Sequence, residues 1–145
     1  MTNAAIVPLF ERLTDENPEV PFEKTPKRFS TFEELQNSIL NDLTCLLNTR
    51  VSNSWADNVK EKITAPYAYG VNVTAPTSAS NVFEIQRLEA KIDAVIKQFE
   101  PRLINAKSRV AGTGKNPCSV FVNIEATVLL DNRKTPLSFP IVMDV

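Results

Sequence analysis

Apolar residues recur at helical spacing at Phe32, Leu35, Ile39, Leu43 and Leu46, with Leu40 and Leu47 widening the stripe. A period of 3.6 residues places them along one face of an α-helix. Ser30-Thr31-Phe32-Glu33 has the form of a capping box, a hydroxyl at the N-cap and a carboxylate three residues on. Glu33 and Glu34 fall in the first turn and Arg50 just past the end, as the helix dipole favours. A second helix is predicted from Ser80 or Asn81, with Glu84 placed for another capping box. Its stripe is Ile85, Leu88, Ile92, Val95, Ile96 and Phe99, and Gln86, Arg87, Glu89, Lys91, Asp93 and Lys97 take the other face. Pro101 ends it, because the ring disfavours the α conformation at the preceding residue.

Beyond Pro101 the period falls to two. Ile104, Ala106, Ser108 and Val110 alternate with Asn105, Lys107 and Arg109, a strand with one wet face. Gly112 to Pro117 reads as a turn. Val120, Val122, Ile124, Ala126, Val128 and Leu130 then make one apolar face, ~36 Å of strand. Asp131 to Lys134 is the predicted hairpin loop, and Leu137, Phe139, Ile141 and Met143 return. Pro136 and Pro140 confine that last strand to an edge or force a bulge.

Ile6, Leu9, Phe10 and Leu13 predict a short N-terminal helix with Pro8 in its first turn, followed by an extended proline-rich linker over Pro18 to Arg28. Residues 51–80 mix Trp55, Tyr67 and Tyr69 with proline, serine and threonine, and read as a connector pinned by aromatics, with room for a short helix over 55–63. The expected class is α+β: two main amphipathic helices plus the short N-terminal one, packed on a small antiparallel sheet with a long C-terminal hairpin. One domain over 1–145 is expected, with 1–29 as N-terminal helix and linker and 30–145 as compact core.

Charge narrows the choice of function. Sixteen Lys and Arg stand against 17 Asp and Glu, which gives no argument for nucleic acid or an anionic membrane as partner. No apolar run reaches the ~18–20 residues of a membrane span, and the first residues lack a signal-peptide pattern, so a cytoplasmic location is expected. Histidine is absent, which removes the commonest general base and most zinc sites. Cys45 and Cys118, flanked by apolar residues, are expected reduced and buried. No cofactor is called for.

The carboxylates with lysozyme-like spacing are Glu33 and Asp42. Nine residues turn a helix through ~900° and advance it ~13.5 Å, so these two lie on opposite faces and cannot flank one bond. Gly112-Thr113-Gly114-Lys115 lacks the spacing of a phosphate loop and precedes a strand where a helix should follow. Residues 101–124 hold Arg102, Lys107, Arg109 and Lys115 and no acid, either a solvated strand face or a cationic surface for an acidic protein partner. Glu100-Pro101-Arg102 closes the second helix. The proline fixes the exit direction, so Arg102 is expected to project from a rigid corner where its guanidinium can engage a carboxylate or carbonyls bidentately.

Several segments together resemble the gp25-like baseplate family, found in type VI secretion systems and contractile phage tails. They are Pro8 to Leu13, Ser38 to Leu43 running into Leu46 to Arg50, Tyr69-Gly70-Val71, and Ile92 to Phe99 leading into Glu100-Pro101-Arg102-Leu103. The most specific is the amphipathic helix ending in Phe-Glu-Pro-Arg-Leu. A Leu-Pro-Asp step that the family carries after Tyr-Gly is replaced here by Val71-Asn72-Val73. The resemblance implies a structural, non-enzymatic wedge subunit of a baseplate docked at the inner membrane complex. It implies TssF, TssG and TssK as baseplate partners and TssB/TssC as sheath partners, with no nucleic acid and no membrane insertion. Carried onto this chain, the partner-binding residues are Glu100, Pro101 and Arg102, with Lys107 and Arg109 on the adjacent strand, and edge-strand pairing is a means of attachment. Arg102→Glu is then expected to leave the monomer folded and to block sheath assembly. The rival readings are a peptidoglycan hydrolase, a phage-like tail wedge protein, and an adaptor outside the machine.

Overall fold

The computed structural model describes residues 7–8, 12–13, 18–19, 29, 31–51, 66–72, 81–113, 119–130 and 133–144. In chain order these form α1 (Phe32–Asn48), a short 3-10 turn (Pro66–Ala68), α2 (Val82–Phe99), β1 (Leu103–Thr113), β2 (Ser119–Leu130) and β3 (Arg133–Asp144). The α+β class is as expected, two helices with a three-stranded antiparallel sheet of order β1-β2-β3.

The cap of α1 sits one residue later than the Ser30/Glu33 pairing predicts. Thr31 is the N-cap; the Glu34 N–H donates to its hydroxyl at 3.2 Å, and its own N–H donates to the Glu34 carboxylate at 3.4 Å. The local sequence offers two overlapping boxes, Ser30 with Glu33 and Thr31 with Glu34. Leu35, Ile39, Leu43, Leu46 and Leu47 are buried, as the stripe requires.

Cys45 corrects another expectation, because it is exposed. Its leucine neighbours are adjacent in sequence, but ~100° per residue turns Cys45 away from the face that buries Leu43 and Leu46. Cys118 lies outside the described residues.

The cap of α2 is Asn81, whose side chain accepts from the Phe83 N–H at 3.1 Å. Leu88, Ile92, Val95 and Ile96 are buried. Glu100 is the C-cap, its N–H bonded to the Ile96 carbonyl at 2.8 Å, and Pro101 follows. Glu100 also accepts the Leu103 N–H at 3.2 Å, which turns the chain straight into β1.

Every described inward position of β2 from Val120 to Val128 is buried, and β3 buries Phe139, Ile141 and Met143. These residues share one apolar cluster with the stripes of both helices. The β2–β3 hairpin is tighter than predicted. Arg133 and Lys134, expected in the loop, already pair with Leu130 and Leu129. β1 runs through Gly112 and Thr113, which were expected in a turn. Its register shifts between Ile104 and Lys107, where Asn105 has φ +55°, and again between Val110 and Gly112.

β3 is an edge strand, and Pro136 and Pro140 pair with Thr127 and Asn123. A proline at an outward-facing edge position leaves no ladder donor missing.

Of the span expected to form an N-terminal helix, residues 7, 8, 12 and 13 are described. The Arg12 N–H donates to the Pro8 carbonyl at 3.1 Å, Val7 is buried, and Leu13, expected on the apolar stripe, is 73% exposed. Most of that helix, most of the 18–28 linker, the 55–63 helix and the 114–117 turn lie outside the described residues.

Candidate functional site

The last turn of α2 delivers Glu100 to the interior, only 5% exposed. An isolated carboxylate there would be costly, and Arg102 answers it. Arg102 Nε donates to Glu100 Oε1 and Nη2 to Glu100 Oε2, each at 2.5 Å, a two-point pairing that the planar guanidinium geometry allows. The same Nη2 donates to Asp42 Oδ2 at 2.5 Å, and Nη1 reaches Ser38 Oγ at 3.3 Å. Ser38 and Asp42 stand four residues apart on α1, so both side chains leave the helix on one face.

This geometry corrects the expectation that Arg102 projects outward. The guanidinium turns inward, and its side chain is 22% exposed. Pro101 at the tip is exposed. Burial alone works against the charged guanidinium, but the hydrogen bonds and charge of Glu100, and then those of Asp42, outweigh it and raise the Arg102 pKa.

Tyr69 borders the same corner. Its ring stacks edge-on against Phe99, centroids 5.5 Å apart, and its hydroxyl donates to the Asp42 carbonyl at 3.4 Å. Burial, and then the charges of Cys45, Asp42 and Glu100, push its phenol pKa up. Gly70 follows at φ +123°, and a Cβ there would lie 2.4 Å from the Thr49 carbonyl oxygen. Only glycine allows that approach, which lets the Val71 N–H bond Thr49 at 2.8 Å and Val71 bridge to Arg50. Tyr69-Gly70-Val71 is thereby pinned to the end of α1.

Lys107 and Arg109 are exposed on β1 and belong to a different surface. Lys107 lies five residues beyond Arg102, roughly 17 Å of strand, so the fold does not gather the five predicted partner-binding residues at one point. The helical pattern places Glu89 and Asp93 on the wet face of α2, whereas both are half-buried against β1. The Ser108 N–H donates to Asp93 Oδ1 at 2.7 Å and the Val110 N–H to Glu89 Oε1 at 2.8 Å. Ser108 Oγ also lies 2.7 Å from Asp93 Oδ1. The i, i+4 spacing of the two acids was the available signal. At the opposite edge, the Asn48 side chain donates to the Val142 carbonyl at 3.3 Å and accepts from the Asp144 N–H at 3.0 Å.

Asp42 and Glu100 are close, but one guanidinium nitrogen bridges them. A glycosidase needs the space between its two carboxyl groups, roughly 5–9.5 Å, for a sugar or a water; here Arg102 fills it. Glu33 shares α1 with Asp42 and is exposed. Among the described residues no group of three or more His, Cys, Asp or Glu is placed to hold a metal, and no helix is long and apolar enough to cross a membrane.

The fold is an α+β domain in which an internal Arg–carboxylate network closes the corner between α2 and β1. A family model described as baseplate wedge protein gp25 matches residues 33–133 of the 145, and the chain belongs to that family. Comparison with curated sequences gives no match. Among solved structures, the chain is similar to one from the baseplate complex of the type VI secretion system, at 15% identity and a TM-score of 0.49, covering 78% of this chain and 97% of that one. It is also similar to a candidate tail lysozyme from Geobacter sulfurreducens, at 17% identity and a TM-score of 0.44, covering 82% and 97%.

Proposed function

We propose that the chain is the TssE-type wedge subunit of a type VI secretion baseplate, a structural part without catalysis. In this reading it acts as one domain over 1–145, joins a TssF/TssG core with TssK to the TssB/TssC sheath, and helps nucleate sheath assembly. Its place is the cytoplasmic side of the inner membrane complex. One observation carries the reading: the matched span 33–133 encloses Ser38, Asp42, Tyr69, Glu100 and Arg102, and these residues converge on one corner.

Glu100 and Arg102 act there by holding shape, while exposed Pro101 and the surface around it meet the partner. Lys107 and Arg109 offer charge on a second surface, where they steer association. The inward pairing of Arg102 also changes the meaning of Arg102→Glu. That variant would set three carboxylates together and unsettle the monomer, so it cannot separate folding from docking. Substitution of exposed Pro101 is the cleaner probe.

The test is co-expression with TssF, TssG and TssK, with fluorescent sheath imaged in cells lacking the native subunit. Co-purification with the wedge core and loss of sheaths in the deletion strain are expected. A chain that never associates with those proteins, or that hydrolyses peptidoglycan in a Glu33-dependent manner, overturns the assignment.

A further inference from the structure

The outer face of the sheet, turned away from both helices, carries an arrangement that the corner does not use. Phe121 and Val142 stand directly opposite one another on β2 and β3 and are 45% and 48% exposed. On its other side Phe121 pairs with Gly112, where a Cβ would meet nothing within 4 Å. The space beside Phe121 on its β1 side is therefore open, with no side chain standing there. Pro140 occupies the next outward position of β3 and is exposed.

Arg109 pairs with Asn123, which makes it the diagonal neighbour of Phe121, within the ~7–8 Å typical of such positions. Lys107 faces Glu125 one rung further. The outer face holds the acids Glu125 and Asp144 and the bases Lys107, Arg109 and Lys134. Along the β1 rim itself there are two cations and no acid. Glu125 stands opposite Lys107, whereas Arg109 faces the neutral Asn123, and the α2 acids Asp93 and Glu89 are engaged with the Ser108 and Val110 N–H groups at the strand edge. That engagement also closes this stretch of the β1 edge to an added strand, so a ligand here must use side chains.

We infer that the outer sheet face docks an acid-rich polypeptide segment of a partner. An apolar side chain of that segment sits over Gly112 against Phe121 and Val142, and its carboxylates reach Arg109 and Lys107. This rests on the partner-binding role proposed above for Lys107 and Arg109 and names the chemistry of what they bind.

The test places photoreactive benzoylphenylalanine at position 121 of the full chain, co-expressed with TssF and TssG. After irradiation, mass spectrometry locates the cross-link. The expected result is attachment to an Asp- and Glu-rich protein segment, with yield falling about tenfold in the neutral double variant Lys107→Gln/Arg109→Gln. An unchanged thermal melt shows that this variant is folded, and Arg109→Gln alone repeats the measurement with a smaller change. Attachment to an acid-poor segment, to nucleic acid or to a second copy of this chain overturns the inference, as does a yield indifferent to the cations. Co-purification without any cross-link at 121 removes this surface and leaves the wedge assignment standing; failure to co-purify removes both.

Discussion

Arg102 and Asp42, 60 residues apart in sequence, are joined by a hydrogen bond of 2.5 Å from Nη2 to Oδ2, and the same nitrogen reaches Glu100. One side chain thus ties the middle of α1 to the junction of α2 and β1. The wedge corner is a tertiary closure, and its rigidity depends on a network that sits partly out of water.

Removing the guanidinium leaves Glu100 buried without its counter-charge. Arg102→Met is expected to cost about 3–5 kcal/mol in urea unfolding, the range for breaking a buried pair. Asp42→Asn should cost about 1 kcal/mol or less, since Asp42 is 42% exposed at its side chain and the amide oxygen still accepts. Equal losses for the two variants would contradict this ranking.

Tyr69 keeps its proton more tightly in the folded chain, through burial first and then the charges of Cys45, Asp42 and Glu100. The associated stability is fully present below the unfolded phenol value, about 10, and is lost as pH rises through the higher folded value. Subtracting the phenolate absorbance titration of Tyr69→Phe from that of the wild type should give a transition above about pH 10. Over the same range the wild type should lose stability relative to the variant. A transition at or below the ordinary value would refute the placement of Tyr69.

The two described positive-φ glycines should respond differently to alanine. At Gly70 the new Cβ meets backbone, the Thr49 carbonyl oxygen at 2.4 Å, and the φ is left-handed, so a loss of about 2–3 kcal/mol is expected. At Gly112 the backbone strain is similar but the space is open, and about 1 kcal/mol is expected. Thermal melts of the two variants check the order.

Asp93→Ala and Glu89→Ala should each free a backbone donor of β1. The half-buried or buried N–H then lacks its acceptor, at a cost of about 1–3 kcal/mol. Amide exchange at Ser108 and Val110 should quicken by about tenfold or more. Asn48→Ala at the other edge should cost under about 1 kcal/mol, because exposed Val142 and Asp144 can bond water instead. Unchanged protection at Ser108 in Asp93→Ala would show that the carboxylate does not hold this edge.

Much of the architecture was readable because it follows from period. The 3.6-residue stripes of α1 and α2 and the two-residue alternation of β2 and β3 report which face is dry, and burial follows them. The stop at Pro101 and the edge position of β3 were readable for a related reason, since proline lacks a donor and restricts its neighbour wherever it stands. The cap register of α1 was less readable, because Ser30 and Thr31 are chemically equivalent there.

The chain by itself also determined that Glu100, Pro101 and Arg102 end a helix together and that Gly70 follows Tyr69. Only the tertiary structure decided where the Arg102 guanidinium points, that Asp42 and Ser38 meet it, and that Glu89 and Asp93 seal β1. A carboxylate on a helix surface looks solvated in any local pattern. Whether it meets water, a guanidinium or a strand N–H depends on which element folds against it, and that is settled by packing across many residues of sequence.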